Sequence, residues 1–343
     1  METITIPALR LNFPPVSTAS VLPVFDNSEE LIKAYTDSLA NVVEGTKATY
    51  TRALRAYFAF RNESGIVTAT PTRAEIVAYK NHLLQHTTSD SNPGGYSALT
   101  VCSYLNAVRG FYSWIEAESL GAIPNIAEGI KGPKHTTAHK KQHLEIKRVG
   151  DLLKYYQESP KATSLRDKAI ITLLVRTGLR TAEVVGANIG DIQFIGNNRV
   201  LWIKGKGHAE KDNYVILTEK TYNPIRAYLK TRPGAQDTEA LFISNSNHRA
   251  RTEGGDTTAR LTTRTIRNIA REGLDNIGLD NKAFTAHSLR HTTAVAILEA
   301  GGRLDDVKAQ LRHASTATSQ IYVDSYNKDK QLTQISAALD EIL

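Results

Sequence analysis

The sequence has little of what stabilises or anchors proteins outside the cytoplasm. Its 343 residues contain a single cysteine, Cys102, which excludes an internal disulfide framework and a cysteine-rich zinc site and suits a reducing compartment. The mostly apolar run at 169–175 (AIITLLV) is far too short to span a bilayer. The first residues, METITIPALRLNFPPV, have no basic segment followed by an apolar block, so we expect no signal peptide. These absences predict a cytoplasmic protein, without a membrane partner.

What is present is ordinary for a globular protein, with 41% hydrophobic and 22% charged residues, and the length suggests two domains. The charge is unevenly divided. Residues 1–131 carry 10 Lys and Arg against 12 Asp and Glu, whereas residues 132–343 carry 32 against 23. A basic excess in one half favours a polyanion such as nucleic acid as partner, although a merely solvated basic surface has the same composition.

The first third of the chain predicts an all-helical domain behind a flexible arm. Residues 1–25 are rich in Pro, Thr and Val and show no helical or strand period. Residues 26–130 contain four segments in which apolar side chains recur at helical spacing. Thr72 and Glu75 predict a capping box at the start of the third helix. Residues 131–145 are rich in lysine and histidine and predict a basic linker between domains.

Residues 146–343 predict a second, mainly helical domain with one small antiparallel sheet. Three β-rich segments at 191–195, 199–204 and 213–217 are separated by glycine-containing turns, and helices precede and follow them. At the end of the chain, a stripe of apolar residues predicts a short amphipathic helix at 328–343, which either joins the core or docks to a partner. The stripe consists of Leu332, Ile335, Leu339 and Ile342.

The most informative pattern lies in the last third, in the segments AHSLRHTTA, LRHAS and QIYV. His287 and Arg290 lie three residues apart on a predicted helix, and Tyr322 follows His313 by nine residues. A guanidinium can neutralise a phosphoryl oxygen, an imidazole can handle a proton, and a phenolate can act as nucleophile. Together these groups suit attack on a phosphodiester with no metal and no other cofactor.

Two upstream segments add candidates. In RTGLRTAEV, Gly178 can end one helix, which leaves Arg180 at the start of the next with Glu183 three residues on to orient it. In the turn KGKGH, Lys206 can reach outward from a hairpin and give a proton to a leaving oxygen. Taken alone, each segment fits a solvated ion pair or a solvated turn better.

In this order the segments resemble the tyrosine recombinase (phage integrase) family. The resemblance rests on TGLRTAEV, the KGKG hairpin, AHSLRHTTA, LRHAS and QIYV, and on the nine-residue step to the tyrosine. The domain layout is similar over roughly 28–330, and the sharp motifs lie between 178 and 322. Arg312 stands where the family often has glycine, and Val323 and Asp324 replace the more frequent Thr-His.

The resemblance implies a role for each candidate. Arg180 and Arg290 would clamp the scissile phosphate, and Tyr322 would attack phosphorus, leaving a 3′-phosphotyrosine and a free 5′ hydroxyl. Lys206 would protonate the 5′ oxygen, and His313 would hydrogen-bond the phosphate. Glu183 would orient Arg180, and His287 would help to remove the tyrosine proton. The implied catalytic set is Arg180, Glu183, Lys206, His287, Arg290, His313 and Tyr322.

Some neighbours compete with these assignments. Tyr326 lies four residues after the predicted nucleophile, but the spacing from the preceding histidine favours Tyr322. His291 faces another side of its helix and is predicted to be structural. His208 could assist the hairpin lysine, although a solvated side chain fits better, and Lys204 competes weakly for the role of acid.

The family layout also implies that the helical domain clamps DNA opposite the catalytic domain. Basic residues of its second helix, of the linker and of the catalytic domain are therefore predicted DNA contacts, although the helix residues suit a solvated face almost equally well. These residues are Lys47, Arg52, Arg55, Lys134, Lys140, Lys141 and Arg312.

The sequence thus predicts a mainly α protein, with an all-helical core-binding domain and an α+β catalytic domain that carries a small antiparallel sheet. The predicted function is site-specific DNA recombination without ATP, by a homotetramer on two DNA duplexes, and in a prokaryote the protein would lie at the nucleoid. Two alternatives are a type IB topoisomerase and a catalytically silent DNA-binding regulator. The terminal helix argues against the first, and the complete catalytic set against the second.

Overall fold

The computed structural model describes ten ranges of the chain. These are residues 3–6, 9–12, 28–40, 42–64, 71–85, 95–134, 142–205, 210–244, 259–313 and 315–342. The chain divides into two compact units, Met1–Thr137 and Ala138–Leu343, and this division lies within the predicted linker at 131–145. Within the described ranges, no helix is both long enough and apolar enough to cross a membrane.

The first unit is built on the four predicted helices. They are α1 (Ser28–Ser38), α2 (Glu44–Glu63), α3 (Arg73–Gln85) and α4 (Ala98–Glu118). The apolar stripes of all four meet in one core, which buries Leu31, Leu54, Ile76 and Phe111. Each such side chain contributes about 1.5–3 kcal/mol when it leaves water, so the stripes hold the bundle together.

A buried polar network crosses this core. The Tyr57 hydroxyl donates to Glu75 Oε1 at 2.7 Å and lies 2.8 Å from the Tyr112 hydroxyl, and Arg61 Nε lies 2.7 Å from the same carboxylate oxygen. The Thr72 hydroxyl accepts from the Glu75 amide at 3.3 Å, which is half of the predicted capping box. The Glu75 carboxylate faces the core instead, because a buried arginine needs an opposite charge beside it.

A two-stranded antiparallel sheet precedes the bundle. Strands β1 (Thr3–Ile6) and β2 (Leu9–Asn12) pair with Thr3 opposite Asn12 and Ile6 opposite Leu9. This differs from the arm without regular structure that the composition of residues 1–25 predicted. The alternating Thr-Ile-Thr-Ile of β1 is β-branched throughout, and such residues favour the extended backbone.

The described part of the second unit contains eight further helices. They are α5 (Ile146–Glu158), α6 (Ser164–Thr177), α7 (Thr181–Gly186), α8 (Glu219–Leu229), α9 (Thr263–Asn276), α10 (Ala286–Glu299), α11 (Leu304–Leu311) and α12 (Thr316–Ile342). Helix α6 lies at the centre and packs against α5, α8 and α10, and it buries Ile170, Leu173 and Leu174 almost completely. The apolar run of residues 169–175 is therefore a core helix.

The predicted sheet is present in this unit. Strands β3 (Ile192–Ile195), β4 (Asn198–Ile203) and β5 (Asn213–Ile216) are antiparallel in the order β3-β4-β5, with Leu201 opposite both Ile192 and Val215. Leu201 and Val215 are buried and join the core of the unit. The sheet and its helices confirm the predicted α+β fold of this part of the chain.

The C-terminal end differs from the prediction in one respect. The amphipathic segment at 328–343 was expected to be a short helix of its own, whereas α12 runs from Thr316 to Ile342 without a break. The residues between Tyr322 and this segment, VDSYN, contain neither glycine nor proline, so nothing ends the helix there. The tyrosine and the apolar stripe therefore share one rigid element.

Candidate active site

The tight corner between α6 and α7 positions the first arginine. Gly178 ends α6 in the left-handed conformation (φ 65°, ψ 22°), as its place in the sequence predicts. A Cβ at this position would lie 2.3 Å from Leu311 Cδ2, so the corner also packs directly against the end of α11. Arg180 then adopts an extended conformation at the start of α7, with its side chain about one-third exposed.

Glu183 is the buried carboxylate that orients this arginine. Its Oε1 accepts from Arg180 Nη1 at 2.7 Å, and its Oε2 accepts from the Arg180 backbone amide at 2.8 Å. The side chain is 3% exposed, and Arg312 Nη2 also donates to Oε2 at 3.1 Å. The carboxylate thus lies between two guanidinium groups, and the predicted orienting contact is present in the structure.

Arg290 of α10 is 2% exposed and is held by backbone carbonyls. Its guanidinium donates to the carbonyl oxygens of Gly178 and Leu311, which ties the α6–α7 corner to the end of α11. Burial, together with the neighbouring charge of Arg180, lowers the pKa of Arg290 to about 10. The group therefore remains a cation at neutral pH.

His313 follows α11 and is buried and neutral. Its Nδ1 lies 2.8 Å from the hydroxyl of Ser319, which is itself fully buried on α12. Burial and, to a smaller extent, the nearby cations Arg290 and Arg180 lower the pKa of His313 to about 4. At neutral pH the imidazole can therefore donate or accept a hydrogen bond at Nε2 without adding charge.

Tyr322 is 1% exposed and lies between two imidazole rings. Its ring stacks on His313, with centroids 5.7 Å apart and planes 8° apart, and it lies 4.8 Å from the ring of His291. Burial raises the pKa of the Tyr322 hydroxyl, while the charges of Arg290 and Arg180 and a hydrogen bond with Arg290 oppose that rise. Two cations thus act on the phenol, as a nucleophilic tyrosine requires.

His287 lies at the exposed start of α10 and lines an open cavity of about 640 Å³ together with Arg180 and Arg290. Arg267 and Asn268 of α9 line the same cavity. These two residues and Ser319 were not among the candidates that the sequence motifs indicated. The arginines of TRTIRNIAREG recur on one side of an amphipathic helix, and that pattern could have indicated them.

Three predicted residues, Lys206, Lys140 and Lys141, lie outside the described residues, as does His208. Lys134 is described and exposed, and so is the alternative acid Lys204, directly after β4. Tyr326, the alternative nucleophile, is half-buried, and the Lys330 ammonium lies 6.0 Å from its ring centroid.

The predicted DNA contacts of α2 share one surface of the first unit. Lys47, Arg52 and Arg55 line a single open cavity of about 490 Å³. Arg55 is engaged in a bidentate pair with Glu29, at 2.8 and 2.7 Å, and both side chains are more than half exposed. Exposed pairs of this kind are weak, so Arg55 can exchange its partner for another anion.

Arg312, a predicted DNA contact, has a carboxylate of the protein itself as a partner. Its side chain is 12% exposed and is directed at Glu183. Burial lowers the pKa of Arg312, whereas the Glu183 carboxylate acts in the opposite direction. The sequence could not show this, because the contact joins residues 129 positions apart.

Residues 142–329 match the model of the phage integrase family. The chain belongs to this family. Tyrosine recombinase XerC of Corynebacterium glutamicum is 30% identical over 235 residues, which cover 68% of this chain and 70% of the relative. Tyrosine recombinase XerD of Mycobacterium tuberculosis is 28% identical over 302 residues, which cover 85% of this chain and 91% of the relative.

Solved structures of DNA-bound proteins share the fold. XerH recombinase in a post-cleavage complex with palindromic difH substrate has a TM-score of 0.68 at 22% identity, over 92% of this chain and 85% of that chain. A lambda integrase dimer bound to a COC′ core site has a TM-score of 0.60 at 16% identity, over 85% and 76%. The family match contains every residue from Arg180 to Tyr322.

Proposed function

We propose that this protein is a site-specific DNA recombinase that cleaves and rejoins DNA strands through a 3′-phosphotyrosine. One observation carries the proposal. Arg290 and Arg180 act electrostatically on the buried phenol of Tyr322, and the neutral ring of His313 stacks on it. Two cations beside a phenol suit a phosphodiester, because they stabilise the charge that develops on its oxygens during displacement.

The proposed cleavage is a transesterification. Tyr322 Oη attacks the phosphorus while the bond to the 5′ oxygen breaks, so one phosphodiester bond is exchanged for another. The tyrosine proton passes to His287, and Lys206 supplies a proton to the leaving 5′ oxygen. Attack by the 5′ hydroxyl of a partner strand reverses the step, and for that reason ATP is not required.

The histidine hydrogen bond suits this chemistry. If the Ser319 hydroxyl donates to Nδ1 of His313, the neutral imidazole carries its own hydrogen on Nε2. Nε2 can then donate to a phosphate oxygen. The depressed pKa of His313 keeps it neutral, so it adds a donor without adding a fourth positive charge to Arg180, Arg290 and Arg312.

The proposed partner is double-stranded DNA, bound by a homotetramer that joins two duplexes. The relatives named above are tyrosine recombinases, and both solved neighbours are bound to DNA, XerH recombinase to difH substrate and lambda integrase to a COC′ core site. The apolar stripe at the end of α12 is about half exposed or more, so it is available to dock on a neighbouring protomer. Since DNA is the substrate, we place the protein in the cytoplasm, at the nucleoid in a prokaryote.

The proposal is tested by covalent trapping. Purified protein is incubated with DNA from its own replicon in EDTA, and a denaturing gel is examined for a protein–DNA adduct. Wild type and Tyr326→Phe are expected to form the adduct, whereas Tyr322→Phe is expected to form none. An adduct that persists in Tyr322→Phe contradicts the assignment, and tight binding with no adduct in wild type favours a silent regulator.

A second assay separates the recombinase from a topoisomerase. A supercoiled plasmid carrying two copies of the trapped site should yield recombinant circles, and a plasmid without the site should keep its supercoils. Relaxation of both plasmids without recombinants contradicts the proposal and favours a type IB topoisomerase.

A further inference from the structure

The backbone at Arg312 departs from ordinary helix geometry. This residue ends α11 with φ 54° and ψ 51°, in the left-handed region. A side chain is disfavoured there because its Cβ crowds the neighbouring carbonyl, and glycine is the usual residue at such a helix end. A strained conformation persists only where the surrounding structure enforces it. The contacts of the Arg312 side chain should therefore explain why its backbone keeps this conformation.

The Arg312 guanidinium is enclosed and has definite partners. Its Nη2 donates to Glu183 Oε2 at 3.1 Å, and its Nη1 donates to the Gln310 carbonyl at 2.6 Å. The other carboxylate oxygen of Glu183 accepts from Arg180 at 2.7 Å. One buried carboxylate is therefore shared between two guanidinium groups that come from distant parts of the chain.

The two arginines differ in access. The Arg180 side chain is 33% exposed and lines the open cavity, whereas the Arg312 side chain is 12% exposed. A phosphate in the cavity can be reached by Arg180 directly. Arg312 can influence that phosphate only through Glu183, because a direct contact would require it to leave its buried site.

The same corner carries the other site residues. The carbonyl of Leu311 accepts from Arg290, and His313 pairs with Ser319. Arg312, between them in sequence, is the link from this corner to the start of α7. The consecutive residues Leu311, Arg312 and His313 thus connect α10, the start of α7 and α12 to one another.

We propose that Arg312 is a positioning residue for strand cleavage: through Glu183 it fixes Arg180 relative to the phosphate and to His313. The inference rests on the cleavage role proposed above for Tyr322. It differs from a DNA contact, because Arg312 acts on the protein's own carboxylate. It also differs from a purely structural role, because its loss should change the rate of cleavage more than folding or DNA binding.

The test compares variants in single-turnover cleavage of a nicked duplex that carries the recombination site. Arg312→Gly removes the guanidinium and suits the left-handed backbone, and Arg312→Lys keeps a cation. Glu183→Gln and the double variant with Arg312→Gly complete a double-mutant cycle. Arg226→Gln, which removes an exposed charge from α8, controls for the general loss of positive charge.

We expect Arg312→Gly to slow adduct formation roughly tenfold, the size of a coupling between residues in one charged network. The dissociation constant for the duplex and its dependence on salt should stay within twofold of wild type, and the melting temperature should not fall. Arg312→Lys should restore most of the rate, and Arg226→Gln should cleave as wild type. The double variant should be no slower than Glu183→Gln alone, because both changes break the same connection.

Three results would overturn the inference. Arg312→Gly may cleave at the wild-type rate; its effect may multiply with that of Glu183→Gln; or it may weaken DNA binding and reduce the salt dependence by about one phosphate contact. The second result would mean that Arg312 acts independently of Glu183, and the third would indicate direct contact with DNA. Adduct formation by wild type in the same gels tests the proposed function separately, so a failure of Arg312 alone leaves the assignment of Tyr322 standing.

Discussion

The Tyr322 ring lies parallel to the His313 ring, with centroids 5.7 Å apart and planes 8° apart. The histidine that would donate to the phosphate therefore also forms one wall of the site of the nucleophile. His313 is in turn held by Ser319, one helical turn before the tyrosine on α12. The position of the nucleophile and the orientation of the imidazole are thus linked through a single helix.

This link makes Ser319 a predicted positioning residue. Ser319→Ala should slow covalent adduct formation about fivefold to tenfold, because the lost hydrogen bond is worth about 1 kcal/mol in orienting His313. The measurement is single-turnover cleavage of the nicked duplex. Ser325→Ala, on the same helix, is the matched control and should cleave as wild type. Equal rates for the two variants would show that the imidazole does not depend on Ser319.

The depressed pKa of His313 predicts a loss of stability in mild acid. An unfolded histidine titrates near 6.5, whereas His313 titrates at about 4 in the folded protein. The unfolded state therefore binds more protons between these values, so stability is full above pH 6.5 and falls as the pH drops towards 4. Between pH 7 and pH 5 the loss should be about 2 kcal/mol.

The check is thermal unfolding at pH 7 and pH 5 of wild type and His313→Gln. Carboxylates that titrate in this range affect both proteins alike, so the difference between them reports on the histidine. The melting temperature of wild type should fall more than that of the variant. Parallel falls would mean that the imidazole is not held neutral in the folded protein.

The buried position of Arg290 predicts that lysine cannot replace it. A guanidinium donates to two carbonyls at once, those of Gly178 and Leu311, whereas an ammonium on a single stem cannot reproduce that fork. Arg290→Lys should reduce the cleavage rate at least about a hundredfold, as the loss of a preorganised transition-state donor does. Duplex affinity, measured in parallel, should change much less. A loss confined to affinity would assign the residue to binding.

Arg267 lines the cavity and is predicted to contact a DNA phosphate near the cleavage site. Arg267→Ala should weaken duplex binding and lower the slope of log K against log salt by about one unit. Titrations at several salt concentrations measure both effects, and Arg226→Gln again serves as control. An unchanged slope would remove Arg267 from the DNA-binding surface.

Much of the fold follows from periodicity, since the apolar stripes of α1 to α4 and the three strands of the sheet lie where their patterns predict them. The order of Arg180, His287, Arg290 and Tyr322 likewise indicated the chemistry. These features depend on neighbours a few residues apart, and spacing along the chain records them.

The remainder depends on contacts between distant segments. His291 was predicted to be structural, and the spacing did not indicate that its ring lies against that of Tyr322. Arg312, a predicted DNA contact, also reaches Glu183 across 129 positions. Glu75 was expected to cap its helix, but a buried arginine draws its carboxylate into the core. In each case tertiary packing, which no local pattern records, determines the partner.

The most direct test of the proposed chemistry is to identify the residue that carries the DNA. The adduct is trimmed with nuclease and digested with trypsin, and the peptide 313–328, which contains both Tyr322 and Tyr326, is sequenced by fragmentation in a mass spectrometer. The account predicts a nucleotide attached to Tyr322 through a 3′-phosphate. A nucleotide on Tyr326, or a 5′-phosphate linkage, would contradict it.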